Sequence, residues 1–403
     1  MATVLSDDLM APEVIRDPHS YYRRLREADP VHWNERWGGW ILTRYDDVVP
    51  VLRDAKRFSS DRMGYLAREL TEEERKPIAP IFDVLSRWMV FSDPPLHTQL
   101  RVLLNRKFTP KAVEQYRSLV REIVEGLLEG IEARGRMEVV RDFAYQVPMT
   151  VILRLMGAPE LDRDRIKDWS EQLGTFFFIR ADEPRRREIA TEGVTALVDH
   201  LTPVVEDKAR NPDDGFISLL LQAEEQGNLK RDDVIATCVL LAFGGHETTM
   251  NLIANGTLAL ILHPEEWKRL EREPALVRSA VEELLRYDGS VKATVRWARE
   301  DVEVGGKTIR AGDRLLVALS AANRDPETFE RPDELNLARD PNLHVAFAHG
   351  IHVCLGAPLA RMEAQEAFRG LAQRLPPPRL ETEAYEYRPT VVGRALKALP
   401  VSF

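Results

Sequence analysis

The sequence predicts a mainly α-helical protein with a small β-rich region. Three observations carry that reading. Apolar residues recur at helical intervals in most segments from Asp17 to Leu371. The longest such run, Asp232 to about Leu262, is apolar on most faces, the pattern of a buried helix. From Val291 to Leu319 the period changes to that of strands, and Gly305-Gly306 marks a tight turn within it.

In chain order, Asp17 to Ala28 reads as a helix, Gly39 to Thr43 as a strand and Asp46 to Arg53 as a second helix. Ser59 to Val90 is irregular, with Met63, Tyr65, Leu66, Trp88 and Met89 among charges. Such a stretch is either a binding loop or an exposed connection. Asp93-Pro94-Pro95 stops the chain before another helix, and helical runs from Lys111 to Gly174 break at Gly135 and Gly157. Phe176-Phe177-Phe178 cannot all face one core. Val302 to Ile309 reads as a hairpin, Asp313 to Leu319 as a strand, and Thr390 to Pro400 as a last small sheet.

Composition excludes several classes. The 403 residues are 44% hydrophobic, enough for a large core, and residues 1–403 show no linker or repeat, so one domain is expected. Two cysteines rule out a disulfide framework and fit a reducing compartment. Met1 to Glu27 lacks the succession of a signal peptide, and no apolar run reaches the ~18 residues of a membrane span. A net charge of −9 argues against nucleic acid as a partner. A cytoplasmic protein without a membrane anchor is expected.

Chemistry concentrates at Cys354. It lies between Gly350 and Gly356, just before a helix whose first turn accepts Pro358. A helix N-terminus favours thiolate over thiol, and a thiolate there suits axial ligation of haem iron. Two other readings stay open on these residues: a buried apolar cysteine, or half of a zinc site with His349 and His352. No second Cys/His cluster completes the latter. Inside the long helix, Gly244-Gly245-His246-Glu247-Thr248-Thr249 are poor helix formers, each Gly costing about 1 kcal/mol against Ala. They mark either a widened turn that admits a small ligand beside an acid and a hydroxyl, or a close helix crossing. Cys238, on the same helix among Ala, Thr, Val and Leu, reads as core. His97 and Arg101 share a helix face, and Glu283 and Arg286 lie one turn apart. On spacing alone, the first set reads as a solvated polar face and the second as a surface ion pair.

Taken together these motifs resemble those of the cytochrome P-450 enzymes. Phe347, Gly350, His352, Cys354 and Gly356 match the haem-binding signature, with Ala348 where the family carries glycine. Gly244, Gly245, His246, Glu247 and Thr248 match the oxygen-binding segment of its central helix, and Glu283 with Arg286 its E-x-x-R pair. The resemblance covers essentially the whole chain. It implies the P-450 fold, with haem b between the long helix and the Cys354 loop. It makes Cys354 the iron ligand, Thr248 the hydroxyl beside the oxygen site and Glu247 the start of a proton relay. His97, Arg101, Arg296 and His352 become propionate partners, and Phe108 and Phe347 pack beside the haem. Glu283 and Arg286 become a buried structural pair with a third partner from a later segment, matched here to Glu334 or Arg331. His349 is left without a role.

The implied reaction is insertion of one oxygen atom from O2 into a small apolar substrate, by hydroxylation or epoxidation. Leu240, Phe243, Val291, Thr294, Val391 and Val392 are expected to line the pocket, with parts of Met63–Met89 and Phe176–Phe178. The chain carries no flavin or iron–sulfur motif. Electrons are therefore expected from a separate ferredoxin or flavodoxin with its reductase, docking near Arg106, Lys107 and Arg361. A peroxide-driven haem-thiolate peroxygenase and a non-catalytic haem sensor or electron carrier are the alternatives. An acid–hydroxyl relay is useless to either.

Overall fold

The computed structural model describes residues 7–159, 162–177 and 185–403. Eight helices and five strands position the site. The helices are α1 (Pro18–Ala28), α2 (Tyr45–Arg53), α3 (Leu96–Phe108), α4 (Arg163–Phe177), α5 (Arg186–Arg210), α6 (Arg231–Leu262), α7 (Val277–Asp288) and α8 (Ala357–Arg374). The strands are β1 (Val31–Asn34), β2 (Gly39–Leu42), β3 (Phe58–Ser59), β4 (Thr294–Ala298) and β5 (Arg314–Val317).

The chain divides into two compact units, each assembled from separate segments. One comprises residues up to Ser59, Val113–Val147 and Thr248–Phe403. It holds the five-stranded sheet, in the order β1-β2-β5-β4-β3. β2 and β5 run parallel and the other neighbours antiparallel. Register separates the two faces. Leu42, Leu315 and Val317 enter a core with Val48, Leu52 and Val345, whereas Ile41, Ala293 and Leu316 enter a second core with Tyr21, Leu25 and Val391. Alternation along a strand sends neighbours to opposite faces, so one sheet separates two cores. In the same unit α6 passes close to α8: a Cβ at Gly256 would lie 2.5 Å from Phe368 Cζ.

The other unit comprises Ser60–Ala112 and Pro148–Glu247. Here α4 lies against α5, and Gly193 permits the approach, since a Cβ would sit 2.6 Å from the Trp169 carbonyl. Trp88 is buried and its ring tilts over Phe243 at 5.6 Å.

Most expected elements form for the expected reasons. Asp17 caps α1 by accepting from the Ser20 N–H. The hairpin pairs Val302–Val304 with Lys307–Ile309, and Gly305 and Gly306 both take positive φ, as its two-residue turn requires. Three expectations change. Ser59–Val90 is largely helical, in short pieces at Arg62–Glu69, Glu72–Arg75 and Ala79–Leu85. Within it Met63 and Trp88 are buried. The C-terminal sheet is displaced: Pro400–Ser402 pairs with Arg136–Glu138, whereas Val391–Gly393 forms a turn tied by one bridge to Val291. Among the aromatics, Phe176 and Phe177 continue α4, and Phe178 lies outside the described residues.

Candidate active site

The Cys354 loop is built by local hydrogen bonds. Cys354 N–H donates to the Phe347 carbonyl at 2.9 Å, closing the segment between them. Gly350–His352 makes one 3-10 turn, and α8 starts directly after Gly356, with Pro358 in its first turn as expected. Cys354 is exposed just ahead of this helix start, the end at which a helix dipole favours a thiolate. Cys238, by contrast, is fully buried, and burial pushes its thiol up to about 12. It is an inert core residue.

Ala348 adopts φ 57°, the left-handed region in which a Cβ is strained. This is the position where the resembled signature carries glycine. Its methyl also packs on the sheet core, which offsets part of the strain. Ala348→Gly is expected to stabilise the fold by about 0.5–1 kcal/mol, read as a higher urea midpoint at unchanged slope.

On α6 a single stripe is open. Leu240, Phe243, Gly244, Glu247 and Thr248 are half-buried or exposed, while Leu241, Ala242, His246, Thr249 and Met250 are buried. The open positions follow the i, i+3, i+4, i+7, i+8 pattern of one helix face. The two glycines divide the two readings of this segment. A Cβ on Gly245 would lie 2.7 Å from Ile152 Cγ1, so Gly245 serves a close helix crossing. A Cβ on Gly244 would meet only Leu240 Cδ1, at 3.9 Å, so Gly244 leaves free space on the open stripe. The helix runs unbroken through both. His246 turns away from the stripe and donates from Nδ1 to the Ala242 carbonyl, and burial pulls its pKa down to about 4. In the unit that contains Thr248, α8 brings buried Glu363 to face the Thr249 hydroxyl, and burial pushes that carboxyl up to about 8.

The remaining predicted residues fall into two sets. The unit with α3 holds His97, Arg101, Phe108, Leu240, Phe243, Gly244, Gly245 and Glu247. His97 is buried on α3, Arg101 is half-buried one turn later, and the Phe108 ring packs on Phe216 at 5.2 Å. The unit with the sheet holds Thr248, Val291, Thr294, Arg296, Phe347, His352, Cys354, Gly356, Val391 and Val392. Arg296 is buried on β4, donating to Thr294 Oγ1 and the Val295 carbonyl. Val291, Thr294 and Val392 are half-buried, whereas Val391 is core.

Two expected partners are otherwise engaged. Arg361 pairs bidentately with Glu282 at 2.8 and 2.9 Å and lies over the Phe347 ring at 4.5 Å. Burial pushes Glu282 up, but His344 and Arg361 outweigh it and hold the carboxyl at about 2. Lys107 Nζ donates to the Asp214 carbonyl. Of the three cations expected near a partner, Arg106 alone is exposed.

Sequence reasoning missed Arg339. Glu283 and Arg286 are fully buried and joined by two hydrogen bonds of 2.7 and 2.8 Å. The third partner is Arg339, whose Nε meets both Glu283 oxygens at 3.0 and 3.1 Å. Glu334 contributes only its carbonyl, and the Arg331 side chain pairs with Glu334 at the surface.

The residues fit a haem. Among the described residues no group of three or more His, Cys, Asp or Glu could hold a bare metal ion. Cys354 stands as a single sulfur donor. One protein donor suits a metal whose other ligands come from a macrocycle. The comparisons agree. The profile of the cytochrome P-450 family, "Cytochrome P450", matches residues 65–374. The chain belongs to the cytochrome P-450 family. This P-450 is 36% identical over 404 residues to the biotin biosynthesis cytochrome P-450 of Bacillus subtilis (strain 168), covering 99% of both chains. It is 38% identical over 404 residues to the vitamin D(3) 25-hydroxylase of Pseudonocardia autotrophica, covering 98% of this chain and 96% of the other. Its fold is similar to that of a solved P-450, BioI, in complex with an acyl carrier protein ligated to hexadec-9Z-enoic acid. The TM-score is 0.90 at 36% identity, over 97% of this chain and 99% of that one. The P-450 chain is thus a haem b oxidoreductase that incorporates oxygen. Among the described residues no helix is long and apolar enough to cross a membrane.

Proposed function

We propose that this P-450 inserts one oxygen atom from O2 into an unactivated bond of a small apolar substrate, with electrons from a separate ferredoxin or flavodoxin system. The observation that carries the reading is the open stripe on α6. It presents apolar Leu240 and Phe243, the space beside Gly244, and then Glu247 and Thr248, on one face of α6, next to buried Leu241, Ala242, His246 and Thr249. Substrate packs on the apolar end, and protons are handled at the polar end.

In this reading the Cys354 thiolate would hold the haem iron, and the haem would supply the activation of O2. His97, Arg101, Arg296 and His352 neutralise its propionates. Arg296 suits that role because it is buried with its guanidinium held by Thr294 and the Val295 carbonyl. Glu247 Oε takes up a proton from solvent, and Thr248 Oγ holds a proton at the open end of the stripe. Phe243, braced by Trp88, narrows the space beside Gly244. Relatives named for vitamin D3 hydroxylation, or seen holding a long acyl chain, fit an apolar substrate.

Thr248→Ala tests the reading. It removes a hydroxyl on an exposed position, so folding and haem loading should persist. The product formed per electron pair consumed is expected to fall about tenfold or more. Full coupling in the variant would remove Thr248 from the proton path.

A further inference from the structure

The Cys354 loop is seated on the end of α2, through two side chains that the haem-binding signature leaves unassigned. α2 ends at Arg53, so its last carbonyls find no partner further along the helix. Gly350 lies against one of them. A Cβ there would sit 2.4 Å from the Leu52 carbonyl oxygen and 3.0 Å from Arg53 Cα, and its φ is +72°. No L side chain fits that position, so loop and helix end meet backbone to backbone.

Arg53 covers the same junction. Its Nη2 lies 3.0 Å from His349 Nε2 and its Nε 3.5 Å from His349 Nδ1. The two ring nitrogens point away from one another in the imidazole plane. A guanidinium can reach both only across the ring face, with its Nε–Nη2 edge turned toward the ring, a contact from two separate nitrogens that lysine cannot make. His349 Nδ1 also accepts from the Gly350 N–H at 2.9 Å. It can do so only while that nitrogen is unprotonated. Partial burial and the Arg53 charge both lower the His349 pKa and keep the acceptor available. Arg53, His349, Gly350 and the Leu52 carbonyl therefore form one contact. It lies inside the segment closed by the hydrogen bond from Cys354 N–H to Phe347.

We propose that Arg53 is a positioning residue which, laid over His349, latches the 347–354 loop onto α2 and so sets where the Cys354 sulfur is held. The consequence for the iron–thiolate bond rests on the reading of Cys354 as axial ligand; the latch itself does not.

Hydrogen–deuterium exchange of the haem-loaded protein, run beside the CO-bound reduced spectrum over time, tests it. Arg53→Ala is expected to speed exchange across 347–356 by about three- to tenfold and to shorten the lifetime of the thiolate-type red-shifted band by a like factor. Exchange in α4 and α5 should not change. Arg53→Lys, which keeps the charge without the paired Nε and Nη2 donors, should recover only part of the effect. His349→Ala should reproduce the loop result and replaces Arg53→Ala if that variant does not fold. Unchanged loop exchange with unchanged band lifetime would overturn the latch. So would a rise in exchange spread evenly over the chain, which marks a general loss of stability. A wild-type protein lacking the thiolate-type band would defeat the ligand assignment, and loop exchange would still decide the latch.

Discussion

Cys354→Ala should abolish the thiolate-type red-shifted absorption of the CO-bound reduced protein. A Cys thiolate pushes electron density onto haem iron, and no other axial donor reproduces that spectrum. Cys354 is exposed ahead of the α8 N-terminus, while Cys238 is buried and held protonated. The second cysteine therefore cannot substitute. The effect is all-or-none in the spectrum, and product formation should fall below detection with it. A variant that keeps the band would show that iron is held elsewhere. Circular dichroism of the haem-free variant should stay close to wild type, because the loop is closed by backbone bonds that alanine preserves.

Glu283→Gln should destabilise the fold strongly. Glu283 is the one carboxylate between two guanidiniums, Arg286 and Arg339, and it also accepts from Asn336 N–H and Asn342 Nδ2. Glutamine keeps the shape but removes the charge and turns one acceptor into a donor facing arginine. Buried Arg286 and half-buried Arg339 are left without their counter-charge. Breaking a buried pair in this way costs about 3–5 kcal/mol, a large share of the 5–15 kcal/mol that stabilises a typical domain. Urea unfolding read by far-ultraviolet circular dichroism should show a much lower midpoint, and the protein should purify with little haem. A wild-type midpoint would mean that the Arg286 hydrogen bonds to the carbonyls of Asn323, Pro332 and Glu334 suffice on their own.

How much of this was legible depended on how local the information was. Asp17 capping α1, the two-glycine hairpin turn and Pro358 at the start of α8 are all interactions within a few residues. Periodicity and residue type expose such features directly. Ser59–Val90 was misread as irregular because its helices are too short to show a period. One signal was present there: Thr71 and Glu74 form a capping box, and that spacing is visible in the sequence. Arg339 was not legible. It lies 56 residues from Glu283, among several arginines with equal claim by charge. Val391 could not be told from Val392, since packing of the turn against the core decides which of the two is buried.

The sequence by itself determined the family, the mainly helical architecture, the cysteine ahead of a helix and the acid–hydroxyl pair on a long apolar one. Those are questions of type and spacing along one stretch of chain. The tertiary structure decided partners. It assigned Gly245 to a helix crossing and Gly244 to open space, although the two are neighbours of the same kind. It took Arg361 for Glu282, supplied Arg339 to Glu283, and turned His349 from a residue without a role into the seat of the Cys354 loop. The physical reason is the same each time. A glycine, an arginine or a histidine offers the same chemistry wherever it stands. Which neighbour uses it is set by packing between segments far apart in sequence, where shape and distance select one partner among many that charge alone would allow.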